Sequence, residues 1–193
     1  SGAITVSTLG ATGNVTIDNG TQALAIQGTV NGALALTAGA AITDSAALQV
    51  TGTSNFTIDS GSNNITLDTS DLEGAITVNT TATSNFTLDN GTQAVIVAGG
   101  TVNGAVSVTT SGAISQTGAL AVTGTSSFTS TGTNTNIDLN NTGNNFGGAI
   151  SFSTLGTTGN VTVDNGTTAI NLGTLTVNGA LSVTSGGGIT DTG

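Results

Sequence analysis

No Lys, Arg, His, Cys, Met, Trp, Tyr or Pro occurs in this chain of 193 residues, and only five Phe do. Each absence excludes something. Without a cation, the ten carboxylates, which give a formal charge of −10, have no side-chain partner. Cohesion must then come from hydrogen bonds and aliphatic burial. Phosphate neutralisation needs Lys or Arg and base stacking needs aromatic rings, so nucleic acid is excluded as a partner. An anionic membrane surface repels such a chain. No apolar run approaches the ~20 residues of a membrane span, and the stretch from Ala94 to Gly100 is far too short. Without Cys there is no disulfide framework and no thiolate metal site. Trypsin has no residue to cut after. There is no initiator Met, and Ser1–Gly10 has neither a basic segment nor a long apolar run. That is expected of a processed chain or of an excerpt from a longer one.

What remains is Thr, Gly, Ala, Asn and Ser, with Val, Ile and Leu as the apolar residues. The apolar residues come in i, i+2 pairs: Ile4/Val6, Val15/Ile17, Leu24/Ile26, Leu34/Leu36, Leu48/Val50, Phe56/Ile58 and Ile65/Leu67. Alternation of period two over four or five residues predicts half-buried strands. The Gly, Asn, Asp and Ser between the pairs predict turns. Nothing shows a helical stripe.

The same landmarks return at long intervals. Gly2-Ala3-Ile4-Thr5-Val6 recurs at Gly74–Val78 and, as Gly-Ala-Ile-Ser-Phe, at Gly148–Phe152. Asn14–Thr21 matches Asn85–Thr92 and Asn160–Thr167, and Thr29–Ala33 returns at Thr101–Ala105 and Thr176–Ala180. The chain thus divides into long repeats at 1–73, 74–147 and a truncated 148–193. The third stops before its counterpart of Leu48–Thr53, as expected of an excerpt. A solenoid requires like residues over like, whereas an antiparallel sandwich does not. The expected fold is therefore all-β: one continuous parallel β-helix (β-solenoid) of short strands, in coils of about 18–30 residues, three or four coils per long repeat. If the long repeat sets the stacking, Ile4/Ile76/Ile150 and Leu34/Val106/Leu181 form aliphatic ladders.

Gly-Ala-Ile-Thr-Val, Asn31–Leu36 (Asn-Gly-Ala-Leu-Ala-Leu), Gly118–Gly124 (Gly-Ala-Leu-Ala-Val-Thr-Gly) and Asn85–Thr92 (Asn-Phe-Thr-Leu-Asp-Asn-Gly-Thr) are similar to the repeats of giant bacterial surface proteins. The resemblance is to filamentous-haemagglutinin-like, β-strand-repeat adhesins. It covers the whole chain and is one of repeat style. It implies a right-handed β-helix secreted to the cell surface, acting in adhesion or as a stalk.

For chemistry there are nine Asp and one Glu. A carboxylate pair can hydrolyse a glycosidic bond, but no cation or stacking ring is present to position a substrate, so no enzyme is expected. Asp68, Asp71 and Glu73 are the nearest cluster and a weak candidate for Ca²⁺, which takes oxygen ligands. The alternative is a solvated acidic loop. Asp18, Asp89 and Asp164 head the repeated Asp-Asn-Gly-Thr, which reads as a tight turn or as a repeated cation site. The Gly-Gly-x-Gly-x-Asp calcium nonapeptide is absent. No other cofactor is expected. Asn-x-Thr occurs at ten positions, among them Asn14, Asn55, Asn64, Asn85 and Asn160. That is little above chance for so much Asn and Thr.

The expectation is a structural shaft of a secreted cell-surface adhesin or extracellular fibre. A self-assembling extracellular filament or sheath subunit is the alternative, its partners being copies of itself end to end or side by side. A Thr-rich solenoid that binds ice or glycan is another. A host or neighbouring-cell glycan or protein is a further partner consistent with the shaft.

Overall fold

The computed structural model describes residues 2–10 and 12–193. Among them there is no helix, and hence none long and apolar enough to cross a membrane. Every apolar pair named above lies in a strand. The first repeat forms β1 (Ile4–Ser7), β2 (Val15–Asp18), β3 (Leu24–Val30), β4 (Leu34–Ala38), β5 (Ile42–Val50), β6 (Ser54–Ile58), β7 (Ile65–Leu67) and β8 (Ser70–Leu72). The second forms β9 (Ala75–Asn79), β10 (Phe86–Asp89), β11 (Val95–Val102), β12 (Val106–Thr110), β13 (Ile114–Gln116), β14 (Leu120–Val122), β15 (Ser126–Thr133), β16 (Ile137–Leu139) and β17 (Asn145–Phe146). The third forms β18 (Ile150–Leu155), β19 (Val161–Asp164), β20 (Ile170–Thr176), β21 (Leu181–Thr184) and β22 (Ile189–Asp191).

These strands make two 11-stranded sheets. The chain crosses from one sheet to the other at each corner, and every paired strand is parallel to its neighbour. This is a parallel β-solenoid of about nine turns. Rung partners lie closest in sequence at Leu24 and Ile42, and farthest apart at pairs such as Ser126 and Ile150. One coil thus takes about 20 residues, at the short end of what solenoid repeats use and within the expected range.

The aliphatic ladders are arranged differently from expectation. Gly-Ala-Ile-Thr-Val lies in the first sheet as β1, in the second as β9, and its third version returns to the first as β18. Ile76 therefore stacks between Ser54 and Val97, not on Ile4. Likewise Val106 stacks between Phe86 and Ser126, in the sheet opposite Leu34. The reason is a count. β7 and β8 run consecutively along one side of the coil, as do β13 with β14 and β16 with β17. Each complete repeat thus has seven sides, which is an odd number. A repeat spans three and a half coils, and the next one starts on the opposite sheet. Backbone pairing links adjacent coils, so the coil, not the long repeat, decides which residues touch.

Inward side chains from both sheets fill one core of Leu, Ile, Val and Phe. Phe128 stacks on Phe152 of the next coil and meets Phe146 edge-on, each at 6.2 Å between ring centres, arrangements that the ring quadrupole favours. The long strands β3 and β11 bend at a bulge. Gly28 (φ +111°) and Gly100 (φ +131°) hold the same repeat position there, and a Cβ on either would collide with the carbonyl oxygen of Val6 or Val78.

Several inward strand positions are polar rather than aliphatic, and two of them are serines whose hydroxyls find no partner. Ser54 and Ser126 hold the same place in successive repeats, are 1% and 2% exposed, and have hydroxyls without a hydrogen-bond partner. An unsatisfied buried hydroxyl costs about 1–3 kcal/mol, against a small loss of packing on its removal. Ser54→Ala is therefore expected to raise stability by about 1 kcal/mol, read as a higher denaturation midpoint. A lower midpoint would show that the hydroxyl is satisfied.

Candidate functional site

The three Asp of the repeated Asp-Asn-Gly-Thr end strands and close their own turns. The N–H of Gly20 donates to Asp18 Oδ1 at 2.8 Å, that of Gly91 to Asp89 Oδ1 at 3.0 Å, and that of Gly166 to Asp164 Oδ1 at 2.7 Å. The glycines adopt φ of +55°, +56° and +58°, the left-handed conformation this turn requires. The carboxylates do not converge, because Asp18 and Asp164 belong to one sheet and Asp89 to the other.

The next residue, Asn, links one coil to another. Asn90 is 1% exposed. Its Oδ1 accepts from the Leu72 N–H at 2.8 Å, and its Nδ2 donates to the carbonyls of Leu72 at 3.0 Å and Ala94 at 3.2 Å. Asn165, also buried, accepts from the Phe146 N–H at 2.6 Å and donates to the Ala169 carbonyl at 2.7 Å. These amides satisfy backbone groups of the neighbouring coil where the ladder is interrupted by a corner.

Two more brackets recur in all three copies. The N–H groups of Ala33, Ala105 and Ala180 donate to Oδ1 of Asn14, Asn85 and Asn160 at 2.8, 2.7 and 2.8 Å. These three Asn-x-Thr residues thus serve the stack, as do Asn90 and Asn165, which head Asn-Gly-Thr. The N–H groups of Asn31, Asn103 and Asn178 donate to Oγ1 of Thr8, Thr80 and Thr154, while their side chains donate to the carbonyls of the same Thr. Sequence reading singled out the Asp and passed over the Asn. The signal was there: each Asn sits one coil away from its backbone partner.

Asp68 and Glu73 are exposed, and Asp71 is half-buried on β8 beside Gln49 of β5. Among the described residues no three carboxylates gather to hold a metal ion. The organised carboxylate of this region is Asp44, 9% exposed, which sequence reading did not select. Its Oδ1 accepts from the Asp68 N–H at 3.0 Å. Its Oδ2 accepts from the Thr69 N–H at 2.8 Å, the Thr69 hydroxyl at 3.1 Å and the Ser70 hydroxyl at 2.8 Å. Asp44 braces the break between β7 and β8, which lie on one side of the coil. Gln116 holds its place in the second repeat, where its Oε1 accepts from Asn144 Nδ2 at 2.9 Å at the matching break between β16 and β17. Four hydrogen bonds, two from backbone N–H groups, account for a buried carboxylate with no cation. A recess of about 200 Å³ beside the first coil is lined by Ile4, Asn19, Gln22 and Leu24, with no carboxylate among its walls.

These side chains bond one coil to the next. A family model for repeats of unknown function matches residues 12–79, 83–153 and 158–193. No curated protein and no solved structure matches the chain.

Two outcomes test this division of labour. Asn90→Ala leaves the Leu72 backbone unpaired and is expected to cost about 1–3 kcal/mol, whereas Asp89→Ala loses one exposed turn bond and costs less. Equal midpoints on denaturation would contradict it. Millimolar Ca²⁺ is expected to leave the melting temperature unchanged; a rise abolished by Asp68→Asn with Asp71→Asn would locate a calcium site there.

Proposed function

This chain belongs to the DUF5649 family of repeats, and we propose that it is a length of passive shaft in a secreted, repetitive adhesin or fibre at the cell surface. One observation carries the reading: both sheets run unbroken through all three repeats. A stack of parallel coils, each hydrogen-bonded to the next, makes a stiff, thin rod, and adding repeats lengthens it without altering the join. The function is then spacing. The repeat style similar to filamentous-haemagglutinin-like adhesins supports the surface location, with a host or neighbouring-cell glycan or protein as the partner at a tip. On this reading the chain is not an enzyme and needs no cofactor. Immunogold electron microscopy on intact source cells, with antibody to one repeat, is the test. Gold along thin external filaments is expected; gold confined to the cell interior would overturn the proposal. A filament or sheath subunit differs in one respect, since purified chains would then join end to end into fibres unaided.

A second reading is favoured by one feature of the first sheet. Thr43, Thr66, Thr87, Ser107, Ser127 and Ser151 are rung partners in that order on its outer face. Hydroxyls in a row at about 4.8 Å intervals suit ordered water or the hydroxyls of a glycan. Thermal hysteresis or glycan-array binding that is lost in Thr66→Leu with Thr87→Leu would establish this reading; no signal in either assay would remove it.

A further inference from the structure

The joins between repeats are the same join made on opposite sides of the solenoid. At the first, Glu73 N–H donates to the Val50 carbonyl at 2.9 Å, and Ile76 enters the second sheet beside Ser54. At the second, Gly147 N–H donates to the Val122 carbonyl at 2.8 Å, and Ile150 enters the first sheet beside Ser126. Gly74 and Gly148 each lie so close to a glycine of the coil before, Gly52 and Gly124, that a Cβ would clash with its backbone. Both joins continue Gly-Ala-Ile. The corner, the pairing and the close approach are shared, and only the sheet differs.

We propose that one repeat is a half-turn unit, so that gaining or losing a single repeat turns everything beyond it through about half a turn about the solenoid axis. The parity of the repeat number then sets which face a distal segment presents. Any surface feature carried once per repeat appears on opposite faces alternately, about 17 Å apart along the axis, and on the same face every ~34 Å, taking ~4.8 Å per coil. A repeat with an even number of sides would keep every copy on one face. The proposal concerns the repeat itself and holds whether or not the chain serves as a shaft.

The test is a chain lacking residues 74–147, in which Glu73 is followed by Gly148-Ala149-Ile150. Because the chain has no cysteine, pairs of engineered cysteines report neighbours without background. In the shortened chain β18 takes the place of β9, so Ser151 moves from the first sheet to the second and lies beside Asn55, where Thr77 normally lies. Asn55→Cys with Ser151→Cys is then expected to form a disulfide on mild oxidation, since adjacent strands lie at about 4.8 Å and a disulfide spans about 4.4–6.8 Å between Cα atoms. Thr66→Cys with Ser151→Cys is expected to stay reduced. The reverse result, Ser151 bonding at Thr66 in the first sheet, would overturn the proposal. So would loss of the β-rich circular dichroism spectrum, because the proposal requires the two joins to be interchangeable. The intact chain gives an independent reading: Asn55→Cys with Thr77→Cys should bond and Thr66→Cys with Thr77→Cys should not. The opposite pattern would mean that the first repeat has an even number of sides.

Discussion

Each coil hydrogen-bonds to the coil on either side of it, in parallel register, and the remaining features of the molecule follow from that restriction. A side chain meets its neighbour in the ladder one coil further along the chain, and packing is local along the axis although it is non-local in sequence. Corners interrupt the backbone ladder, because the chain must leave one sheet and join the other. The groups exposed there need partners. With no cation in the chain, amides and hydroxyls supply them. Asn90 and Asn165 bridge one kind of corner, the Thr8–Asn31 bracket and its two counterparts another, and Asn14 with Asn85 and Asn160 a third.

The same restriction explains where charge is tolerated. A buried carboxylate must be hydrogen-bonded, and Asp44 is bonded four times. Most other carboxylates stand on turns or outer faces, where water solvates them. The distribution leaves the core aliphatic and the corners polar.

Much of the fold was legible in the sequence. The pairs from Ile4/Val6 to Ile65/Leu67 marked strands correctly, because a half-buried strand imposes period two on any chain. The recurrence of Gly-Ala-Ile-Thr-Val pointed to a repeat architecture, in which successive units of one kind share a continuous core. The partners within the stack were less legible. The visible offset was the long repeat, and it suggested Ile76 over Ile4. The offset that governs contact is the coil, whose neighbours differ in type, such as Ser54 beneath Ile76 and Phe86 beside Val106. A side made of two short strands, such as β7 with β8, has the same sequence texture as two separate sides, so the odd number of sides was hidden. The candidate sites were less legible again. Asp draws the eye as a ligand, whereas the Asn beside it carries the inter-coil bonds, and composition alone ranks neither.

The most direct measurement is a distance between two nitroxide labels on the intact chain, at Thr16→Cys and Thr162→Cys. Both positions lie on the outer face of the second sheet, in β2 and β19, seven coils apart. Pulsed electron resonance is expected to give a narrow distribution near ~34 Å, from ~4.8 Å per coil. A separation below about 20 Å, as when repeats fold back against one another in a sandwich with sheets ~10 Å apart, would contradict the solenoid and with it the half-turn relation between repeats.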